Sequence, residues 1–305
     1  MLSKGDIIVM KKFIALLMAA LLVFAFAGCG DTNTTVEDPS EEASQADAAT
    51  EEAATQKLDL DVEPVTGLDE LAEDSDLAKI IAKGKLVVGI TNYEPMDYKD
   101  PGSDEWTGFD AEFAEAFAEA IGVEVEFIEV DWDNKFFELE SNKIDCIWNG
   151  MTITDEVTLN TNCSAAYVKN AQVVVMAADK VADYADAESM KDLTFAVESG
   201  SAGETAAKEN NFTYTALLSQ KDALMEVQAG TADACIIDIT MANAMTGAGT
   251  SYEKLAAGLE LTSEEYGVGF RKGSDATAVL DAFMKAQREN VLVPLAAKYE
   301  LTLAF

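Results

Sequence analysis

Polar and aromatic side chains follow the predicted strands of this chain, at the points where the strands end. Tyr93 comes after the first strand, and Thr152 follows the third. Ser201 and Asp238 follow two strands of the second half. Because ligands of α/β proteins bind outside the carboxyl ends of strands, these positions are candidates for a binding site. The full candidate set is Tyr93, Trp132, Trp148, Asn149, Gly150, Thr152, Ser201, Ala202 and Asp238.

Each candidate has both a chemical use and an ordinary structural one. The Gly/Ser loop at 198–203 opens a predicted helix, so its N–H groups and the helix dipole suit a carboxylate. The alternative is that Ser201 only caps this helix. Asp238 suits an ammonium group or caps a helix, and an aromatic such as Tyr93 stacks on a ligand or joins the core. The combination at successive strand ends favours a site for a small polar molecule.

Composition excludes several classes of function. The 305 residues include no histidine, which removes His-based acid–base catalysis and His-ligated metals. The net charge of −35 repels nucleic acid. No metal or cofactor is expected. Three cysteines, Cys146, Cys163 and Cys235, follow Cys29, and we predict free thiols, with a disulfide as the alternative.

Helical and strand-like segments alternate through the body of the chain. In the first half the predicted helices are 76–84, 109–121 and 134–139, and the predicted strands are 85–90, 123–130 and 144–148. In the second half the predicted strands are 193–197, 214–217 and 234–237, and the predicted helices are 202–210 and 221–229. This alternation predicts an α/β fold with largely parallel sheets.

The repeated pattern predicts two lobes of similar build. The segments 142–147 and 230–236 are alike, each with a helix end, a turn, an aspartate and an apolar strand. A strand at 267–270 and a long helix at 275–299 are predicted to return to the first lobe. Strands near 172–176 and 264–268 would then form a hinge. The predicted lobes are 67–175 with 264–305, and 176–263.

The first 28 residues predict an export signal. Two lysines precede an apolar run that ends at Ala27, and Gly28 and Cys29 follow. This resembles a bacterial lipoprotein signal, which implies a lipid on Cys29 and an extracytoplasmic protein anchored to the cell membrane. The alternative, a transmembrane helix, is disfavoured because the run of 15 residues from Phe13 is short for a bilayer. Met1 and Met10 both remain possible starts. The acidic segment 29–66 predicts a disordered tether.

The motifs of the body resemble the extracellular amino-acid-binding proteins of ABC importers. The most specific is Gly-Met-Thr-Ile-Thr-Asp-Glu at 150–156, supported by Tyr-x-Pro at 93–95 and Gly-Phe-Asp at 108–110. The resemblance implies a two-lobed periplasmic-binding-protein-like fold that closes on an amino acid or related amine. It implies a monomer that delivers this ligand to an ABC permease, and no catalytic residue.

The resemblance also implies roles for the candidates. Tyr93 would stack on the ligand side chain. The carbonyl of Gly150, the hydroxyl of Thr152 and the carboxylate of Asp238 would hold the α-ammonium. The N–H groups of Ser201 and Ala202 would receive the α-carboxylate. The remaining pocket residues would be Trp132, Trp148 and Asn149.

One position departs from the family. Val157 stands where an arginine usually clamps the ligand carboxylate. Three explanations stay open: a lysine such as Lys169 substitutes, backbone donors suffice, or the ligand is not a standard α-amino acid. Two other functions also stay open, a sensing module for a membrane receptor and a dehydratase-like enzyme on the same fold.

Overall fold

The computed structural model describes residues 57–305. The predicted signal peptide at 1–28, Cys29 and the tether up to residue 56 lie outside the described residues, so these remain predictions. Between residues 57 and 305, no helix combines the length and the apolar character needed to cross a membrane.

Strands and helices alternate through most of the described chain. The strands are β1 (Lys85–Ile90), β2 (Glu124–Glu129), β3 (Cys146–Ile147), β4 (Asn162–Cys163), β5 (Val168–Asn170), β6 (Gln172–Ala177), β7 (Thr194–Glu198), β8 (Thr213–Leu217), β9 (Ala234–Asp238), β10 (Leu255–Glu260), β11 (Glu264–Tyr266) and β12 (Gly269–Phe270). The α-helices are α1 (Asp76–Lys83), α2 (Phe109–Ile121), α3 (Lys135–Glu140), α4 (Asp155–Asn160), α5 (Ala202–Glu209), α6 (Gln220–Ala229), α7 (Ile239–Met245), α8 (Ala276–Ala286) and α9 (Val293–Lys298).

The first sheet has the order β2-β1-β3-β12-β4. β1 pairs in parallel with β2 and β3, and β12 runs antiparallel between β3 and β4. β1 is almost continuously apolar and buried, as expected for a strand that is covered on both faces. Helix α2 supplies part of that cover through Phe113 and Phe117, both fully buried. It ends at Gly122, whose φ of 77° is the left-handed conformation typical of a helix C-terminus.

The second sheet has the order β10-β6-β9-β7-β8. β7 pairs in parallel with β8 and β9, whereas β6 is antiparallel to β9 and β10. The prediction that 172–176 forms a hinge strand is therefore wrong, because this segment is β6 inside the sheet. Val173, Val174 and Val175 are fully buried. An apolar run that is buried on both faces suits a central strand, not a connection.

A short antiparallel pair, β5 with β11, connects the two sheets. The chain leaves the first sheet after β4, passes through β5 and enters the second sheet at β6. It returns from β10 through β11 to β12 in the first sheet. The predicted two-lobed α/β fold is confirmed, but the first connecting strand is Val168–Asn170 and precedes the predicted one.

The predicted single helix at 275–299 is divided into three parts. Helix α8 ends at Ala286, a π-helical segment covers Arg288–Leu292, and α9 follows. Pro294 lies in the first turn of α9, where its missing N–H costs no intrahelical bond. These parts pack on the first lobe, where the ring of Phe283 lies 5.5 Å from that of Phe117 in the core.

Residues 57–66 do not match the predicted disordered tether. Leu60, Val62 and Val65 pack against the core of the first lobe. The N–H of Val65 donates to the carbonyl of Ala120 at 2.8 Å. The apolar residues that alternate with acids in this short stretch bury enough surface to attach it, so the folded body begins before the predicted boundary.

Candidate ligand-binding site

A cavity of about 350 Å³ is lined by residues of both lobes. Eight of the nine predicted site residues lie on its walls. The first lobe contributes Tyr93, Trp132, Asn149, Gly150 and Thr152, and the second contributes Ser201, Ala202 and Asp238. Their contact with a ligand stays a prediction.

Trp148 is a correction, because it does not line the cavity. Its side chain is fully buried, and the ring of Phe113 meets it edge-on at 4.7 Å. The ring of Phe117, on the same helix α2, lies 6.2 Å from it. Since successive residues of an extended segment point to opposite faces, Trp148 turns toward α2 and belongs to the core.

Tyr93 lies where the two lobes and the connection meet. Its hydroxyl is 2.5 Å from the hydroxyl of Thr240 in the second lobe, and 2.5 Å from that of Tyr266 at the end of β11. Gly150 packs directly on its ring. A Cβ on Gly150 would lie 2.6 Å from the Tyr93 ring, and the φ of 54° is itself left-handed. Glycine is therefore required at this point of the wall.

Two buried aspartates hold this wall from behind. The side-chain amide of Asn149 donates to Asp97 at 2.7 Å, and the hydroxyl of Thr91 donates to the Asn149 oxygen at 2.7 Å. Asp110 accepts the N–H of Gly150 at 2.6 Å. Burial raises the pKa of Asp110 to about 7 and that of Asp97 well above its usual range. The amide of Asn149 is thus engaged with the core, and Asn149 positions the wall.

Asp238 ends β9 and faces the cavity from the second lobe. It precedes α7, but its side chain does not cap that helix. Its carboxylate instead accepts the side-chain amides of Asn170, Gln172 and Gln220, with Gln172 at 2.8 Å. A carboxylate held by three amide donors has a fixed orientation, as a counter-charge for a ligand needs.

A second carboxylate lies beside Asp238. Glu264 on β11 accepts the hydroxyl of Thr152 at 2.8 Å and shares the amides of Asn170 and Gln172 with Asp238. Burial, then the charge of Glu264, raises the pKa of Asp238 to about 7. This corner therefore favours a bound cation, which would relieve the repulsion between the two carboxylates.

The start of α5 forms the opposite corner. The hydroxyl of Ser201 caps the helix by accepting the N–H of Glu204 at 3.1 Å. The N–H groups of Ala202 and Gly203 lie in the first turn, where no intrahelical acceptor exists. Gly200 meets the first lobe here, since a Cβ on it would lie 2.8 Å from the Cα of Asp133.

Lys135, at the start of α3, is a cavity residue that the sequence analysis missed. Its ammonium donates to the carbonyl of Trp132 at 3.1 Å and, across the cavity mouth, to that of Gly200 at 2.9 Å. Its exposed fraction is 4%, and burial lowers its pKa. The only signal in the sequence is a lysine three residues after a candidate tryptophan.

The suggested substitute for the absent arginine is not at the cavity. Lys169 lies exposed on β5 and lines a different groove. Val157 itself is buried among apolar residues of the first lobe, although it touches the cavity. Arg271 pairs with Asp76 and Asp145 away from the site. Among the described cavity-lining residues, Lys135 is the one with a positive charge.

Glu198, at the end of β7, is a second cavity residue that was not predicted. It is 4% exposed. Burial, then the charge of Asp238, raises the pKa of Glu198 to about 8. The sequence signal was present, because Glu198 is the first residue of the candidate loop at 198–203.

The described residues give no metal-binding group of three or more acidic or cysteine side chains. Cys146 and Cys235 lie buried in β3 and β9, and Cys163 is partly buried, all three as free thiols.

Comparisons with known proteins identify the family and the fold. The model of "Bacterial extracellular solute-binding proteins, family 3" matches residues 86–301. The arginine-binding extracellular protein ArtP of Bacillus subtilis is 27% identical over 290 residues, which cover 92% of each chain. The L-cystine-binding protein TcyA of the same organism is 31% identical and covers 72% of this chain and 81% of its own.

A solved structure extends the comparison. An amino acid ABC transporter substrate-binding protein of Streptococcus pneumoniae, bound to L-arginine, superposes with a TM-score of 0.68. It is 26% identical and covers 76% of this chain and all of its own. A cyclohexadienyl dehydratase of Pseudomonas aeruginosa is also similar, at 24% identity over 142 residues, which cover 46% of this chain and 53% of the enzyme.

Proposed function

The chain belongs to the bacterial extracellular solute-binding proteins of family 3, and we propose that it captures a small amino-acid-like solute between its two lobes. The observation that carries this proposal is the cavity, whose walls come from both lobes. A ligand that contacts both walls binds the closed arrangement more strongly than an open one. Capture would therefore shift the molecule toward closure, with β5 and β11 as the hinge.

The ammonium group of the solute would bind at the corner of Asp238 and Glu264. The hydroxyl of Thr152 and the carbonyl of Gly150 complete a polar surface there, with contributions from both lobes. Each carboxylate lacks a cationic partner in the described contacts, and each is fixed by amide donors. A charged hydrogen bond of this kind contributes about 1.5–3 kcal/mol to affinity.

The carboxylate group of the solute would bind at the start of α5. The N–H group of Ala202 and the positive end of the helix dipole favour an anion. The N–H of Ser201, the other predicted donor, instead donates to the carbonyl of Glu198 at 3.3 Å. Lys135 adds a full positive charge beside the carbonyl of Gly200. In this proposal Lys135 supplies the cation that an arginine at position 157 would otherwise give, while Tyr93 and Trp132 contact the solute side chain.

Delivery to an ABC permease and attachment to the membrane complete the proposal. The family is extracellular by description, and the N-terminal sequence predicts lipid on Cys29. Detergent phase separation of the full chain, expressed in a bacterial host, would test attachment. We expect the native chain in the detergent phase and the Cys29→Ser variant in the aqueous phase; equal partition of both would contradict the anchor.

A dehydratase is the second candidate, because one relative carries that name. The cavity contains buried carboxyl groups but no histidine, since the sequence has none. Mass spectrometry of a bound solute after long incubation would distinguish the two functions. Recovery of the unchanged solute is expected for a binding protein, and a dehydrated product would indicate an enzyme.

Binding itself is tested by isothermal titration of the chain from residue 30 onward. We expect a saturable one-to-one complex with at least one amino acid or small amine. We also expect the Asp238→Ala variant to bind roughly 10–150-fold more weakly while it keeps its fold. Unchanged affinity in the variant would remove Asp238 from the proposed site.

A further inference from the structure

The ionisable groups on the cavity wall are mostly acidic. Lys135 is the single cation among its described residues, whereas the carboxylates are Asp155, Glu156, Glu198, Glu209 and Asp238. A solute with one ammonium and one carboxylate would leave this imbalance unchanged. A solute that carries a further positive charge would reduce it.

Glu198 is the cavity carboxylate with the most unused hydrogen-bonding capacity. Its Oε1 is buried and has no hydrogen-bond partner among the described residues. A buried carboxylate oxygen without a donor is costly, so such a group in a cavity wall indicates a missing donor. Asp238, in contrast, already accepts three amides.

The groups around Glu198 do not fully compensate the negative charge of its ionised form. Asp238 raises its pKa, whereas Lys135 and the amide of Gln220 lower it. Two of the three N–H donors of Lys135 go to the carbonyls of Trp132 and Gly200, and the third is assigned to the carboxylate of the solute. Asp222, further along α6, adds to the repulsion. A cationic nitrogen of a bound ligand would supply the donor that the ionised Glu198 lacks.

We infer that Glu198 receives a second, distal cationic nitrogen of the ligand, and that the site selects basic α-amino acids over neutral ones. This inference rests on the proposed function, since it divides the same cavity into an ammonium corner and a side-chain corner. Glu198 is then a specificity-determining residue, and the ligand spans from Asp238 to the end of β7.

The test compares L-arginine with L-citrulline, which has the same length but a neutral urea group. Titrations use the chain from residue 30 onward and the Glu198→Gln variant, which keeps the size of the side chain. The native chain should prefer arginine by roughly 10–150-fold, the range that corresponds to one charged hydrogen bond. In Glu198→Gln the preference should fall to a few-fold. The control Glu253→Gln, an exposed residue outside the cavity, should keep the native preference.

Proton release gives an independent readout. Because the pKa of Glu198 is about 8 without ligand, the group is largely protonated at pH 7 and must ionise when a cation binds. Titration at pH 7 in buffers of different ionisation enthalpy should therefore show protons released with arginine. Glu198→Gln should release fewer.

The outcomes separate the two proposals. Binding of L-arginine with the expected losses in Glu198→Gln supports both. Tight binding of citrulline or other neutral amino acids, or an unchanged preference in Glu198→Gln, overturns the inference but leaves amino-acid capture in place. Failure of arginine, lysine, ornithine, citrulline and the neutral amino acids to bind overturns the proposed function together with the inference.

Discussion

Two pairs of buried carboxyl groups lie near the cavity, one pair in each lobe, and they differ in the groups that they contact. Asp97 and Asp110 lie behind the wall of the first lobe, where their partners are backbone and side-chain donors of that lobe. Asp238 and Glu198 lie on the wall of the second lobe and face the cavity. Burial raises the pKa of all four.

The difference shows that burial alone does not identify a binding group. Asp110 connects α2 to Gly150 and to the hydroxyl of Tyr167, so it fixes the shape of the wall. Asp238 and Glu198 leave charge or hydrogen-bonding capacity directed at the cavity. We therefore expect changes in the first group to affect folding most, and changes in the second group to affect binding most.

The largest effect is expected for Asp110→Ala. The variant leaves the N–H of Gly150 and the hydroxyl of Tyr167 without their acceptor in a buried place. The free energy of unfolding should fall by about 2–4 kcal/mol, measured by urea denaturation. Asp110→Asn keeps one acceptor oxygen and should lose less. A loss below 1 kcal/mol in Asp110→Ala would remove the distinction between the two groups.

Asp238→Ala should instead reduce affinity. The loss of a charged hydrogen bond is worth about 1.5–3 kcal/mol, or roughly 10–150-fold in the dissociation constant, measured by titration calorimetry. Its unfolding free energy should fall by less than that of Asp110→Ala, because the amides it releases border a cavity that water can enter. Destabilisation equal to that of Asp110→Ala would contradict the comparison.

Lys135→Met tests the carboxylate corner. The variant keeps the length and apolar stem but loses the ammonium that bridges to Gly200. Affinity for amino acids should fall about tenfold, in line with one charged hydrogen bond. Lys169→Met, a change to an exposed lysine outside the cavity, is the matched control and should bind as the native chain does. Equal behaviour of the two variants would refute the role of Lys135.

The pH dependence of stability tests the raised pKa values without any substitution. Asp110, Asp238 and Glu198 have folded pKa values of about 7, 7 and 8, above their ordinary values of 3.8, 3.8 and 4.5. The folded chain therefore binds more protons than the unfolded chain between about pH 4 and pH 8. Each group contributes stability below its unfolded pKa and loses it as the pH rises through the folded pKa.

Denaturation of the ligand-free chain at pH 5.5 and pH 8 measures this contribution. We expect lower stability at pH 8, with a slope of at most about 1.4 kcal/mol per pH unit for each group. Glu198→Gln should flatten the part of the slope above pH 7. An unchanged slope in this variant would show that Glu198 is already ionised in the empty cavity.

The fold was largely predictable because its strands and helices have simple apolar patterns. β1 and α2 have the predicted bounds, since one is a short apolar run before a polar turn and the other ends at Gly122. The hinge was less predictable. An apolar run such as β6 suits either a central strand or a connection, and only pairing with β9 decides between them.

Site residues that directly follow a predicted strand could be predicted from the sequence. Site residues that depend on contact between the two lobes were harder to predict. Asp238 and Thr152 follow strands and lie on the cavity. Trp148 also follows a strand, but its direction depends on the packing against Phe113. Lys135 was missed because its acceptor, the carbonyl of Gly200, belongs to the other lobe. Contacts between segments that are distant in the chain produce no recognisable spacing pattern in the sequence.

Thermal or chemical unfolding of the chain from residue 30 onward, with each common L-amino acid and small amine, tests solute capture most directly. A ligand at 100 times its dissociation constant stabilises the folded state by about 2.7 kcal/mol. We predict such stabilisation by a basic amino acid and a much smaller stabilisation of Asp238→Ala at the same ligand concentration. No stabilisation by any amino acid or amine would contradict the central claim that the cavity between the lobes binds such a solute.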